Sequence, residues 1–454
     1  NSMDSALQSH IHANAGEAQA LLERLCRQPS IAAQGVGIDA MASLTEDMLR
    51  EAGFTTRRLL ADGAPPAIYA EQKGRSPYTL LLYNHYDVQP AEPLELWHSA
   101  AFEPTVRDGK LFARGSSDNK GEIAARLAAL RALRATYGEL PITIRWIIEG
   151  EEEIGSPHFA AIAEPYAELL KADGCLWEGS SFTVDGRPEL ILGTKGLLYV
   201  QLDISCLGGD AHSGNAPMLP SAAWRLVQAL ATLRTPNGTI QLTGFYDAVR
   251  APTEAQLAAL ADQPNDEAEL RAAFGVEQFA DGLTGLALRQ RQAFSPTCNI
   301  AGLVSGYTGE GSKTVLPAKA MAKIDFRLVP DQDPDAILAS LRQHLDAHGY
   351  TDISITTFGA CGAVVTPIDE PFVQRMAAIA QGYNGKPPAI TPIIGGTLPL
   401  LDALRRYVGV PGLCAPGNPT YWANGMHAPN EHIRLADLDE AVRFNCHMFQ
   451  TLGV

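Results

Sequence analysis

The stretch Leu80-Leu-Leu-Tyr-Asn-His85-Tyr-Asp87-Val-Gln-Pro90 restricts the fold more than any other part of the chain. An apolar run followed by turn formers reads as a buried strand. This one ends in a histidine, one spacer and an aspartate. In open α/β sheets, ligands bind outside the carboxyl ends of the strands. Residues two apart on extended backbone point to the same side. That geometry suits a metal-binding histidine oriented by a neighbouring carboxylate. It equally describes a core-edge histidine beside a solvated aspartate, so the rest of the chain must decide.

The same pattern recurs. Gly115-Ser-Ser-Asp118-Asn-Lys-Gly121 precedes Glu122 to Tyr137, whose Ala, Leu and Arg content favours helix. Asp118 therefore falls at or just before a helix start, where N-capping is the alternative to a binding role. Ile142 to Ile148 is a β-branched run that ends in Glu149-Gly-Glu151-Glu152-Glu153-Ile-Gly155-Ser156. A glutamate run is normally a solvated face, but this one lies between a buried strand and a Gly-Ser turn. Asp173 to Glu178 is a shorter strand that also finishes in an acid. Helices are expected from Glu17 to Cys26 and around Met41, Leu44 and Met48, with a hairpin turning at Asp108-Gly109. Strands alternating with helices predict a doubly wound α/β layer with a mixed sheet.

After Gly193 the character changes. Strands are expected at Leu197–Cys206, Thr297–Val304, Ala318–Val329 and Ile353–Phe358, and helices at Ser221–Leu233 and from Asp333-Pro334. The order β-α-β-β-α-β is ferredoxin-like, with Pro236 to about Ser295 as a polar, helical insertion. The division follows: 1–193 and 363–454 form one α/β domain, and 194–362 is an inserted α+β domain. The last helix is expected to start near Asp437, with Glu440 completing a capping-box-like pair.

With 454 residues, two or three domains fit a prior of about 150 residues each. A net charge of −16 disfavours nucleic acid or an anionic membrane as partner, and no apolar run approaches the roughly 20 residues of a membrane helix. Asn1-Ser2-Met3-Asp4 has no basic-then-apolar leader pattern, and Asn1-Ser2 are expected to be left over ahead of a native Met3. Seven scattered cysteines, with no Cys-x-x-Cys pair, predict a reduced, cytoplasmic chain.

Histidines with several carboxylates and no cysteine suit Zn²⁺ first, and also Mn²⁺ or Co²⁺. Two metals sharing one carboxylate can activate a water and polarise a carbonyl. A further glutamate can move the proton, and Glu152-Glu153 offers one residue for each role.

Taken in order, His85-x-Asp87, Gly115-x-x-Asp118-x-Lys120-Gly121, Glu152-Glu153-x-Gly155-Ser156, Glu178, Gly208-Gly-Asp-Ala-His212-Ser-Gly214 and His427-x-Pro-Asn-Glu431 resemble the M20 family of metallopeptidases. That group includes aminoacylases, carboxypeptidases and cytosolic dipeptidases. The resemblance implies two divalent metal ions per chain. One would be held by His85, Asp118 and Glu178, the other by Asp118, Glu153 and His427. Asp87 would orient His85, and Glu152 would be general base and then acid. The acid pair is chosen among Glu151 to Glu153 by counting back from Gly155-Ser156. Glu178 departs from family members that carry aspartate and resembles the carboxypeptidase branch.

The resemblance further implies that His212 reaches the active site of a partner subunit to stabilise an oxyanion. Arg327 would bind a substrate carboxylate, with Gly395, Gly396 and Thr397 offering backbone N–H groups and Asn299 a polar contact. The inserted domain would be lid and homodimer interface. The implied activity is hydrolysis of an amide bond near a free carboxylate in a small peptide, of dipeptidase or carboxypeptidase type. The alternatives are an N-acyl amino acid deacylase and a non-catalytic relative that keeps the fold.

Overall fold

The computed structural model describes residues 3–454; Asn1 and Ser2 lie outside the described residues. The main sheet has six strands, in the spatial order Thr55–Leu59, Ala67–Gln72, Thr143–Glu149, Thr79–His85, Gly174–Leu176 and Gly412–Leu413. The last four run parallel, and the first two are antiparallel to their neighbours. His85 pairs with Glu149 at the carboxyl edge, so two of the polar strand ends sit side by side.

The Thr79–His85 strand is a continuous apolar run because both of its faces are covered. Leu80 and Leu82 pack into one core with the helices Glu17–Arg27, Ile38–Glu51, Gly121–Tyr137 and Leu435–Leu452. Leu81 and Tyr83 pack into another, with Phe159–Ala163, Ala167–Leu170 and Pro399–Ala403. All four side chains are fully buried, each leucine contributing about 1.5–3 kcal/mol of transfer free energy. This is the doubly wound, mixed-sheet layer expected from the sequence.

A second sheet has the order Asn299–Ser305, Lys319–Leu328, Gly196–Ser205, Ser354–Cys361, antiparallel throughout. The helices Ala222–Leu233 and Pro334–Ala347 cover one of its faces, and together they form a separate core. This is the ferredoxin-like order. Ser221 caps the first helix through Trp224 N–H (3.2 Å), and Asp333 caps the second through Asp335 N–H (3.0 Å), with Pro334 in the first turn. The insertion carries the helices Glu254–Ala261, Glu267–Phe274 and Gly285–Phe294. The chain passes between the two sheets along the antiparallel pair Gly193–Thr194 and Val364–Val365.

One expected cap does not form. The final helix starts at Leu435, two residues before Asp437, and has no side-chain cap. Asp437 instead accepts from Arg434 Nε (2.5 Å), and this ion pair removes the aspartate from any capping role. All seven cysteines are free, and all but Cys206 are buried. Among the described residues, no helix is long and apolar enough to cross a membrane.

Candidate metal centre

Five segments deliver polar side chains to the carboxyl edge of the main sheet. His85 is the last residue of its strand, and Glu178 follows two residues after Leu176. Glu152 and Glu153 lie in a short 3-10 turn beyond the Thr143–Glu149 strand. Asp118 sits in the tight turn Ser116–Lys120, at non-helical φ −125° and ψ 88°. His427 comes from a loop near the far end of the chain, at a left-handed φ of 62°.

These side chains converge on one carboxylate. Asp118 Oδ1 lies 3.1 Å from His85 Nε2, and Asp118 Oδ2 lies 2.8 Å from His427 Nε2. Glu178 Oε1 is 2.8 Å and Glu152 Oε2 3.5 Å from the same His85 nitrogen. Glu153 Oε2 is 3.1 Å from His427 Nε2. Asp118 therefore bridges, one oxygen to each histidine, and its side chain makes no N-cap hydrogen bond.

Asp87 does more than the sequence reading assigned to it. His85 Nδ1 faces only acceptors, the Asp87 carbonyl oxygen at 2.9 Å and Asp87 Oδ1 at 3.2 Å. Nδ1 therefore carries the proton and donates. The Asp87 carboxylate also accepts from Glu152 N–H (3.1 Å) and Glu153 N–H (2.9 Å). One buried aspartate thus fixes the histidine tautomer and pins the glutamate turn. Gln89 Nε2 donates to Glu153 Oε2 (2.9 Å). Glu151 points elsewhere, toward His158 Nδ1 at 2.9 Å, so the two glutamates facing the cluster are those chosen by counting back from Gly155-Ser156.

The donor set fits a divalent cation. In its neutral form, with Nδ1 protonated, His85 would turn an Nε2 lone pair toward three carboxylates, an arrangement that a cation between them completes. A single proton there cannot serve all three. Glu178 Oε1, though close to Nε2, lacks hydrogen-bond geometry to it, and Glu153 Oε1 is likewise buried without a partner. His85, Asp118, Glu152 and Glu153 bring ligand atoms within 4.8 Å of one another. Burial and the neighbouring Asp118 and Glu122 charges push the Glu178 carboxyl up to about 7 despite the help of His85. Burial and Glu178 push Glu152 well above the carboxylate range. Burial lowers His85, but Glu178 and Glu152 overcome this and hold it well above the usual histidine range. Asp118 and Glu153 raise His427 to about 10. Confined negative charge of this kind is what a cation neutralises.

The structure does not bring the remaining expected residues to this cluster. His212 is exposed; its Nδ1 accepts from Gly214 N–H (2.9 Å) and its Nε2 lies 3.5 Å from Thr314 Oγ1. Arg327 is half-buried and donates to Thr397 Oγ1 (2.6 Å), which itself donates to the Lys195 carbonyl (2.7 Å). Arg327 has no carboxylate partner among the described residues. Gly396 is exposed, and its carbonyl accepts from Lys195 N–H (2.9 Å). Asn299 is exposed on the edge strand and donates to Asp325 Oδ2 (2.8 Å).

Residues 81–451 match peptidase family M20/M25/M40. The chain belongs to that family. It is a peptidase of M20 type. A solved M20 family metallo-carboxypeptidase from Sulfolobus solfataricus is 34% identical, covers 99% of this chain and 100% of its own, and superposes with a TM-score of 0.89. The Beta-Ala-His dipeptidase of Homo sapiens is 29% identical over 85% of this chain and 77% of its own length. A Cys-Gly metallodipeptidase of Candida albicans is 27% identical over 87% and 86%.

Beneath the cluster lie residues that no local sequence pattern marks out. Arg114 and Glu431 form an ion pair (3.0 Å), each 1% exposed. Glu122, read only as the start of a helix, is fully buried and accepts from Gly179 N–H (2.6 Å) next to Glu178. The available signals were an acid in the His427 motif with no ligand role and an acid directly after Gly121. Neither shows burial until the fold is assembled.

Proposed function

We propose that this chain cleaves the peptide bond beside a free carboxylate in small peptides, as a dipeptidase or carboxypeptidase that uses two divalent ions. The supporting observation is Asp118, whose two oxygens face two different histidines. His85, Asp118 and Glu178 would hold one ion, and Asp118, Glu153 and His427 the other. An N/O donor set of this kind suits Zn²⁺, Mn²⁺ or Co²⁺. When bound, the ions supply Lewis-acid polarisation of the scissile carbonyl and a water of lowered pKa.

The chain's own residues do the rest. Glu152 takes the proton of the attacking water and passes it to the leaving amine. Arg327, with no carboxylate of its own, receives the substrate carboxylate together with the backbone around Gly396 and Thr397. Asn299 is a further polar contact.

Residues 194–362 act as lid and dimer domain in this reading, with Gly193–Thr194 and Val364–Val365 as the hinge pair. The edge strand Asn299–Ser305 exposes Ile300 (49%), Leu303 (53%) and Val304 (48%). An open apolar edge of this kind favours pairing with another chain, here a second copy. His212 would then serve the partner subunit's site. Free, mostly buried thiols favour a reducing, cytoplasmic setting.

The test uses metal-reconstituted protein against dipeptides, longer peptides and N-acetyl amino acids. Two ions per chain and turnover of peptides with a free C-terminus are expected. Turnover of N-acetyl amino acids alone makes the chain a deacylase. Glu152→Gln should keep both ions and lower kcat about 10²–10⁴-fold; near-full turnover removes Glu152 from the mechanism. Light scattering should give a dimer.

A further inference from the structure

Two buried networks support four of the ligands, one under His85 and Glu178 and one between Asp118 and His427, while Glu152 and Glu153 rest on Asp87. The first lies under His85 and Glu178. Glu122 accepts from Gly179 N–H (2.6 Å) and from Asn84 Nδ2 (2.8 Å). Arg126 donates to the carbonyl oxygens of Tyr83 (2.8 Å) and Trp177 (3.0 Å), and to Asn84 Oδ1 (2.6 Å). These carbonyls and amides belong to the segments that end in His85 and Glu178.

The second network lies between Asp118 and His427. Glu431 Oε2 accepts from Ser117 N–H (3.0 Å) and, at longer range, from Asp118 N–H (3.4 Å). Glu431 Oε1 accepts from Arg114 Nη1 (3.0 Å). The same Nη1 donates to the carbonyl of Ala428, next to His427 (3.0 Å), and Nη2 donates to the Pro90 carbonyl (2.9 Å). The guanidinium stacks 5.1 Å from the Trp97 ring. Glu431 is also tied through its backbone, whose carbonyl accepts from Ala113 N–H (3.1 Å).

We propose that Arg114 and Glu431 are positioning residues that set the distance between Asp118 and His427, and so govern the second metal site more strongly than the first, whose other two ligands rest on the Glu122–Arg126 network. This rests on the metal-centre reading above. The amides of the Asp118 turn depart from helical geometry and need an acceptor; Glu431 supplies it. His427 is 50% exposed at its side chain, so packing does not hold its ring. Its position follows from its backbone, and Arg114 grips that backbone one residue away. A guanidinium can bind two carbonyls and a carboxylate together because its donors form a rigid planar fork. Lysine presents a single charge point and cannot reproduce this.

Sequential loading with Co²⁺, followed by absorption spectra and by metal content after graded chelation, tests the proposal. In Glu431→Gln the first equivalent should bind within about threefold of wild type, and the second should weaken by about 10–100-fold. Arg114→Met/Glu431→Gln leaves no unpaired buried charge and guards against a folding failure of the single variant. It should show the same selective loss, with kcat reduced more than KM is raised. Arg114→Lys should not restore the second ion. Glu122→Gln should reverse the pattern and weaken the equivalent held by His85 and Glu178. Equal weakening of both equivalents in Glu431→Gln, or an unchanged second equivalent in the folded double variant, overturns the proposal. A wild-type chain that binds no more than one ion overturns the metal-centre reading itself.

Discussion

The half of the centre built on His85 and the half built on His427 use the same donor types and differ in how much hydrophobic burial supports them. His85 is 0% exposed and ends a central strand. Its ring is held by the sheet, by Asp87 and by the packed helices on either side. His427 is half exposed on a loop, and hydrogen bonds from buried charges locate it. The first half combines hydrophobic burial with the Glu122–Arg126–Asn84 network; the second relies on satisfied polar groups. Burial tolerates many small errors, because many contacts share the load. A polar network has few members, and loss of one leaves the others unpaired. Removing one partner of a buried ion pair costs about 3–5 kcal/mol. The outer half is therefore the more fragile one to point mutation.

Asp118 belongs to both halves, so its loss should have the largest effect. Asp118→Ala should bind neither ion after gel filtration and show no measurable turnover. Retention of one ion with activity would show that the halves are independent. Asp87 comes next, since it touches His85 and also the Glu152 and Glu153 amides. Asp87→Ala should fold but bind metal about 10–100-fold more weakly. Unaltered affinity and turnover would undo its orienting role.

Glu149 supplies a stability test of the buried half. It accepts from Tyr83 Oη (2.5 Å) and Ser156 Oγ (2.6 Å). Burial raises it from the ordinary 4.5 to about 8 in spite of those bonds. The folded chain holds this proton more tightly than the unfolded one. Its contribution to stability is therefore complete below pH 4.5 and is lost as pH rises through about 8. Melting temperature measured between pH 5 and 8 should fall less steeply in Glu149→Gln than in wild type; an identical slope would remove Glu149 as the cause. The smallest effect belongs to Glu151, which faces His158. Glu151→Gln should leave kcat/KM within about twofold and cost about 0.5–1.5 kcal/mol of stability through a weakened buried hydrogen bond to His158. A large loss of metal would mean that the glutamate register is off by one.

Several features were legible without coordinates because local rules carry them. Continuous apolar strands, glycine-stopped helices and the β-α-β-β-α-β order each follow from short-range periodicity. The polar strand ends also showed, since an acid after a buried strand is conspicuous wherever the chain folds. The expected Asp437 cap does not form because its ion pair with Arg434 competes with capping, and sequence spacing does not rank the two. Glu431 and Glu122 carry no local signal because an acid's burial depends on what packs around it.

The sequence by itself determined the two sheets, the donor types and the order in which they reach the sheet edge. Only the tertiary structure decided which oxygen of Asp118 faces which histidine, that Asp87 holds a histidine and a glutamate turn at once, and that Glu151 turns away. It also brought Arg114 and Glu431 together across more than three hundred residues. The physical reason is range. Periodicity and turn chemistry act over a few residues along the chain, whereas hydrogen bonds and ion pairs act over a few ångströms in space.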